Sequence, residues 1–339
     1  MVRLPVYAPM LAQLGTLSSV RGPEWAVEMK WDGVRALVYV EDGAVRLLSR
    51  NGRDVTPAYP ELQLMASATN GRAAVLDGEV VAFDEAGRPS FEALQPRMHQ
   101  RHQPAVAHLV RTVPVTFMAF DILHLDNEST VALPYTERRG LLESTLTPGY
   151  RWQVPVWFSG HAEQAFDASR QLGLEGVVCK RMNSPYRPGR RSPDWTKVKN
   201  VSAVEVVIGG WKPGGGRRSG LIGSLLLGAY DPAGRLRYVG HVGTGFTQAM
   251  LRDLGELLAP LERREPPFDE PVPREHARDA RWVEPRLVGE VQYAEVTSDG
   301  RLRHPSWRGL RPDREPSEAR TEEIAPPGRS GQQGGTATG

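Results

Sequence analysis

Cysteine is nearly absent from this chain of 339 residues. The single thiol, Cys179, closes no internal disulfide and cannot build a four-cysteine zinc module. Long apolar runs are absent too. No stretch approaches the roughly eighteen apolar residues of a membrane span, and the opening MVRLPVYAPM lacks a secretory core. A soluble, cytoplasmic protein is expected. Lysine is the third scarcity: of 42 basic residues only five are lysine (Lys30, Lys180, Lys197, Lys199 and Lys212). Where any positive charge serves, this chain uses arginine, so each lysine is a candidate for something arginine cannot do, such as losing its proton to become a nucleophile. What is plentiful is ordinary. Forty per cent hydrophobic and 24% charged residues exclude wholesale disorder, and the length suits two domains.

Residues 25–50 read as strands, with a turn at Glu41-Asp42-Gly43 between WAVEMKWDGVRALVYV and AVRLLS. Residues 73–84 read as a strand pair or one bent strand, and 114–123 as a buried strand. A helix start is signalled at Ser90, and helices are expected over 135–146 and 161–172. From about residue 203 the texture changes to short strands with Gly-rich turns and one helix near 246–259, the pattern of a small Greek-key barrel of the OB type. The fold class is therefore α+β: a domain of antiparallel sheets and helices over 1–202, then an OB-fold β-barrel over 203–314. The stretch 315–339 is poor in large apolar residues and is read as a disordered tail.

The net charge of +2 hides a local excess. Between Lys180 and Arg218 lie ten basic residues and two acidic ones, Asp194 and Glu205. Clustered charge of this kind focuses potential on polyanions; a solvated loop is the plainer alternative.

Lys30 opens the string K-W-D-G-V-R after an expected strand. A lysine amine in its neutral form can attack phosphorus and form a covalent intermediate, and cations nearby favour that form. Further strings follow in order: S-R-N-G-R-D (49–54), D-G-E-V-V-A-F-D (77–84), F-M-A-F-D-I-L (117–123), E-G-V-V-C-K (175–180), W-T-K-V-K (195–199) and R-G-L-R-P-D-R (308–314). With E-M-K-W-D-G-V-R (28–35) these seven resemble, in sequence and order, the motifs of the ATP-dependent DNA ligases of the covalent nucleotidyltransferase superfamily. The resemblance covers about residues 5–314 and is closest to compact bacterial repair and end-joining ligases.

The resemblance implies a role for each matching residue. Lys30 would attack the α-phosphorus of ATP to give lysyl-AMP. Arg35 would hold the ribose and nearby phosphate, Glu28 the adenine edge and Glu79 the ribose. Phe120 would stack on adenine, as an aromatic face can; plain core is its alternative. Glu175 would bind Mg²⁺ or Mn²⁺, since a carboxylate with water ligands suits a reluctantly dehydrating ion. Lys197 and Lys199 alternate on an expected strand, so they share a face from which both would grip the α-phosphate. Arg50 would bind the 5′-phosphate of a nick; Lys212, outside the motif strings in the basic loop G-W-K-P-G-G-G-R-R, is read as a DNA-backbone contact rather than a catalyst. Arg311 and Asp313 would orient pyrophosphate when the OB domain closes. Arg314 stands where the family has lysine, and Lys180 ends the fourth motif without an assigned task.

The implied substrate is nicked duplex DNA. Implied partners are Ku and separate polymerase and phosphoesterase proteins, with the chain monomeric and nucleoid-associated. Because Lys30 lies so early, no separate amino-terminal DNA-binding domain is expected. An RNA ligase, an mRNA-capping guanylyltransferase and a non-catalytic OB-fold binder remain as alternatives. His99, His102 and His108 match no zinc spacing, G-G-W-K-P-G-G-G-R-R lacks the ending of a P-loop, and Cys179 is read as a small core residue.

Overall fold

The computed structural model describes residues 4–98, 100–200, 203–215 and 221–324. The chain divides into two compact units, Met1–Asn200 and Val201–Gly339.

The first unit stacks two sheets. One has the order β1-β11-β10-β2-β9, from β1 (Leu11–Leu14), β2 (Trp25–Lys30), β9 (Trp157–Ser159), β10 (Gly176–Arg181) and β11 (Arg191–Lys199). The other has the order β4-β3-β5-β6-β7, from β3 (Val34–Glu41), β4 (Ala44–Ser49), β5 (Ala74–Ala82), β6 (Val115–Leu125) and β7 (Glu128–Ser129), with β8 (Trp152–Gln153) added against β6. The run 25–40, read from sequence as continuous, thus belongs to two sheets and breaks at Trp31-Asp32-Gly33. Gly33 permits the break: a Cβ there would lie 2.3 Å from the Val80 carbonyl oxygen. The expected turn after β3 is present, with Asp42 and Gly43 both at positive φ (50° and 75°), as a tight hairpin requires.

Three cores hold this unit. Val34, Ala36, Val38 and Val40 point one way from β3 and pack with the short helix α1 (Phe91–Leu94) and with α3 (Tyr135–Thr145). Leu37 and Tyr39 point the other way, into a core between the two sheets that also holds Trp195 and Tyr186. The outer face of the first sheet, carrying Val27, Val177, Cys179 and Val198, packs on Ala162, Ala165 and Phe166 of α4 (Ala162–Gln171). Ser90 does start α1, its hydroxyl accepting from the Ala93 amide at 3.1 Å, but that helix lasts four residues. A separate helix, α2 (Gln103–Thr112), follows it.

The second unit is organised on β12 (Ala203–Pro213), which pairs with β13 (Ile222–Tyr230), β16 (Arg281–Val283) and β17 (Val288–Gln292). β14 (Leu236–Val242) lies beyond β13, β15 (Glu262–Arg263) beyond β16, and β20 (Ser306–Leu310) beyond β17. The hairpin β18 (Glu295–Val296) and β19 (Leu302–Arg303) stands apart. Among the described residues this pairing never returns to its first strand, so the expected barrel is an open, strongly branched sheet. Helix α5 (Gln248–Leu258), capped by the Thr247 hydroxyl, buries Leu251, Leu254 and Leu258 in its core, and the four-residue α6 (Arg274–Ala277) lies on the surface.

The segment Glu315–Ile324, read as the start of a disordered tail, is folded. Two 3₁₀ turns form, the Tyr230 amide donates to the Ala319 carbonyl at 2.7 Å, and Ala319 and Ile324 are buried. Composition missed this because two apolar anchors are enough to dock a short segment. Residues 325–339, His99, Arg217 and Arg218 lie outside the described residues.

Candidate active site

Strand register assembles the site. On β10, Gly176 stands opposite both Lys30 of β2 and Lys199 of β11, while Val178 stands opposite both Glu28 and Lys197. Residues directly opposite one another share a sheet face, so Glu28, Lys30, Lys197 and Lys199 all point to the side away from the α4 core. Glu175 immediately precedes Gly176, and its carboxylate bridges two lysines. Lys30 Nζ hydrogen-bonds to one oxygen, and Lys199 Nζ lies 3.5 Å from the other.

Glu28 lies deeper on the same face, 6% exposed. Its Oε2 is 2.8 Å from Lys180 Nζ, and its Oε1 accepts from the Tyr135 hydroxyl at 2.5 Å with Arg139 Nη1 at 3.7 Å. Lys180 is 1% exposed, and its ammonium sits 4.3–4.5 Å from the ring centres of Trp195 and Phe120. Burial pulls the Lys180 pKa below its ordinary value against the opposing charge of Glu28, and burial together with Glu28 pushes the Tyr135 hydroxyl well up. The basic run that begins at Lys180 is therefore not wholly a solvated surface. Lys180 and Lys199 turn inward to carboxylates, and Arg187 pairs with Asp194 at 3.0 Å.

From the facing sheet, Arg35 forms a two-pronged pair with buried Asp77, at 2.5 Å for both contacts. Tyr186 donates to the same carboxylate at 2.6 Å and accepts from the Met10 amide. Burial would lower the Arg35 pKa, but the Asp77 charge more than reverses this and the guanidinium stays charged. Arg35 lies 4.8 Å from the centre of the half-buried Phe120 ring, so this ring faces two cations, Arg35 and Lys180. Glu79 pairs with Arg35 in the β3–β5 register. Arg50 sits in the turn after β4, closed by the Gly52 amide on the Ser49 carbonyl.

The remaining expected residues belong to the second unit. Lys212 donates to the Glu275 carbonyl at 2.7 Å. Arg311 and Asp313 are buried and paired with each other at 2.8–2.9 Å, and Arg311 also reaches Glu290. Arg314 lies 3.1 Å from Glu205. No group of three or more His, Cys, Asp or Glu side chains suited to a metal exists among the described residues, and no helix there is long and apolar enough to cross a membrane.

Four participants escaped the sequence reading: Asp77, Tyr135, Arg139 and Tyr186. Asp77 stood inside a motif string, but nothing local says that it anchors Arg35. Tyr135 and Arg139 look like ordinary helix residues until α3, packed on β6, brings their side chains to Glu28 of β2.

A lysine hydrogen-bonded to a carboxylate lies on a polar sheet face of a two-sheet unit that a second β-rich unit follows, an arrangement consistent with the covalent nucleotidyltransferases that the motif strings resemble. Comparison with known proteins narrows the class. The model of the ATP-dependent DNA ligase domain matches residues 9–199, and that of the ATP-dependent DNA ligase C-terminal region matches 218–314. The chain belongs to the ATP-dependent DNA ligase family.

The multifunctional non-homologous end joining DNA repair protein LigD of Mycobacterium tuberculosis is 48% identical over 311 residues, 92% of this chain and 39% of that protein. The Pseudomonas aeruginosa LigD is 40% identical over 94% of this chain and 37% of its own length. The chain thus spans about two fifths of these relatives. A solved mycobacterial DNA ligase D complexed with ATP and MES matches with a TM-score of 0.67 and 45% identity, covering 92% of this chain and 97% of that one.

Proposed function

We propose that this chain seals nicks in duplex DNA through a lysyl-AMP intermediate. The observation that carries the proposal is the Glu175 carboxylate shared by Lys30 and Lys199 on one sheet face. In the first step Lys30 Nζ loses its proton and bonds to the α-phosphorus of ATP, and the bond to pyrophosphate breaks. AMP then passes to the 5′-phosphate of the nick, and the 3′-hydroxyl displaces AMP to form the phosphodiester bond. Lys197 and Lys199 meet the charge that develops on the α-phosphate. Phe120 supplies a ring for adenine, Glu28 its acceptor, and Arg35 and Glu79 the ribose contacts. Asp77 holds Arg35 in place.

Glu175 fits a Mg²⁺ or Mn²⁺ ion, because such an ion takes one or two carboxylates and fills its remaining positions with water and phosphate oxygens. Bound there, it supplies neutralisation of the α-phosphate charge. Arg50 is assigned to the 5′-phosphate of the nick, and Arg311 and Asp313 to pyrophosphate, on the family resemblance alone; Lys212 is assigned to the DNA backbone from its place in a basic, glycine-rich string. By analogy with the end-joining relatives, the pathway is DNA end joining at the nucleoid, with Ku and with polymerase and phosphoesterase activities as partners.

The test is incubation with Mg²⁺ and α-labelled ATP or GTP, then a denaturing gel and a nicked-duplex chase. Acid-labile label from ATP that vanishes as the nick is sealed, and that is lost in Lys30→Ala, is the expected result. Label from GTP alone would move the chain to the capping enzymes. No label from either, after pyrophosphate treatment to discharge enzyme already carrying nucleotide, would refute the proposal.

A further inference from the structure

Lys180 is the most deeply buried of the five lysines, and it is not the nucleophile. Its ammonium is spent on a single carboxylate, Glu28, at 2.8 Å, within a cage of Phe120, Tyr135 and Trp195 rings. A charge so deep is costly to bury, and a buried carboxylate without a counter-charge takes up a proton instead. The difference matters at a base-binding position. An ionised carboxylate only accepts hydrogen bonds, whereas its protonated form also donates one. Adenine offers the N6 amino group, a donor, where guanine offers O6, an acceptor.

The other charged and titratable groups around Glu28 touch it less closely or carry no positive charge. Arg139 is a second, more distant counter-charge: its Nη1 lies 3.7 Å from Glu28 Oε1 without a hydrogen bond, while its Nε and Nη2 go to Glu143 and the Pro155 carbonyl, so the direct contact at 2.8 Å is left to Lys180. Tyr135 is a neutral donor, and the Cys179 thiol is pushed up to about 12 by burial and by Glu28, so it too stays neutral. Asp121 is negative and committed to Arg138. With Tyr135 on one oxygen and Lys180 on the other, each oxygen keeps acceptor capacity for a further donor.

We infer that Lys180 is a specificity-determining positioning residue: it holds Glu28 as an ionised, acceptor-only group and thereby makes the site choose adenine over guanine nucleotides. The inference rests on the reading above that places Glu28 at the base edge. It explains why a lysine is kept there in an arginine-rich chain. A compact ammonium fits between three aromatic rings and one carboxylate oxygen, where a planar guanidinium needs a wider space.

The experiment measures lysyl-nucleotide formation from labelled ATP and GTP by the full chain, pretreated with pyrophosphate. It compares the wild type, Lys180→Met, Glu28→Gln and the double variant. The expected result is that each single change lowers the ATP-to-GTP preference about ten- to a hundredfold, the range for losing a hydrogen bond to a charged group. In the double variant Lys180→Met should add nothing, because no charge is left to hold; a merely structural lysine would lower labelling by both nucleotides and leave their ratio unchanged.

An unchanged preference in Lys180→Met, with Lys30 still labelled by ATP, overturns the inference and leaves the ligase reading standing. Absence of label in the wild type overturns both. If Lys180→Met fails to fold by circular dichroism, Lys180→Gln, which keeps a donor beside Glu28 but removes the charge, decides. A lowered ATP-to-GTP preference supports the inference, and an unchanged one refutes it.

Discussion

Replacing Asp77 with asparagine removes one charge at almost constant volume, and its cost can be worked out from the structure. The side chain is fully buried and accepts three hydrogen bonds of 2.5–2.6 Å, two from Arg35 and one from Tyr186. An amide has one acceptor oxygen and a donating NH₂ group, so one Arg35 contact becomes donor against donor. The guanidinium cannot escape by losing its proton. Coulomb attraction at about 4 Å and an effective dielectric of about 20 is about 4 kcal/mol, and breaking a buried pair from one side costs about 3–5 kcal/mol.

Urea unfolding at pH 7 should therefore show a lower midpoint for Asp77→Asn with an unchanged slope. Asp126→Asn is the reference. Asp126 pairs with Arg72 at 2.8 Å on the surface, and its backbone at φ 54° suits asparagine, so its loss should stay below about 1 kcal/mol. Equal losses for the two variants would show that burial is not what makes the Asp77 pair matter.

Gly176→Ala should destabilise the first unit by about 1–3 kcal/mol, read as a lower thermal midpoint. Its φ is +144° and a Cβ would lie 2.1 Å from the Val198 carbonyl oxygen. The same change should slow Lys30 labelling, because Gly176 sets the register between the two lysines. The His241 and His276 rings lie 4.2 Å apart at a 35° tilt, and both pKa values are lowered by burial first, with His276 and Lys212 adding to the effect on His241 and Lys212 and Arg301 to that on His276. Because the unfolded chain binds these protons more readily, the contribution is full above an unfolded value near 6.5 and is lost as pH falls below it. The stability of the second unit should drop between about pH 7 and pH 5, and His276→Gln should flatten that slope. Cys179, with its thiol pushed up to about 12 by burial first, should resist iodoacetamide at pH 8 in the folded protein and react after unfolding.

Several features could be read without the structure because they are local. The turn at Asp42-Gly43, the helices starting near 135, 161 and 246, and the period of two that puts Lys197 and Lys199 on one face all follow from neighbouring residues. The motif strings belong to this group, since each is a short run whose order along the chain is visible directly. Lysine scarcity even pointed to Lys180, without saying what it does.

The tertiary structure decided the contacts between distant residues. Lys30 and Glu175 are 145 positions apart, and Asp77 and Tyr186 are 109 apart. What joins them is strand register and the stacking of two sheets, and a single sequence holds no local signal for either. The same holds for the break at Gly33, the anchoring of Ile324 and the open strand pairing of the second unit. Each depends on which surface a segment meets after folding. Sequence alone thus determined which chemical groups this protein owns and which face of a strand they take; tertiary packing decided which of them meet, because burial and pairing are properties of the assembled sheets.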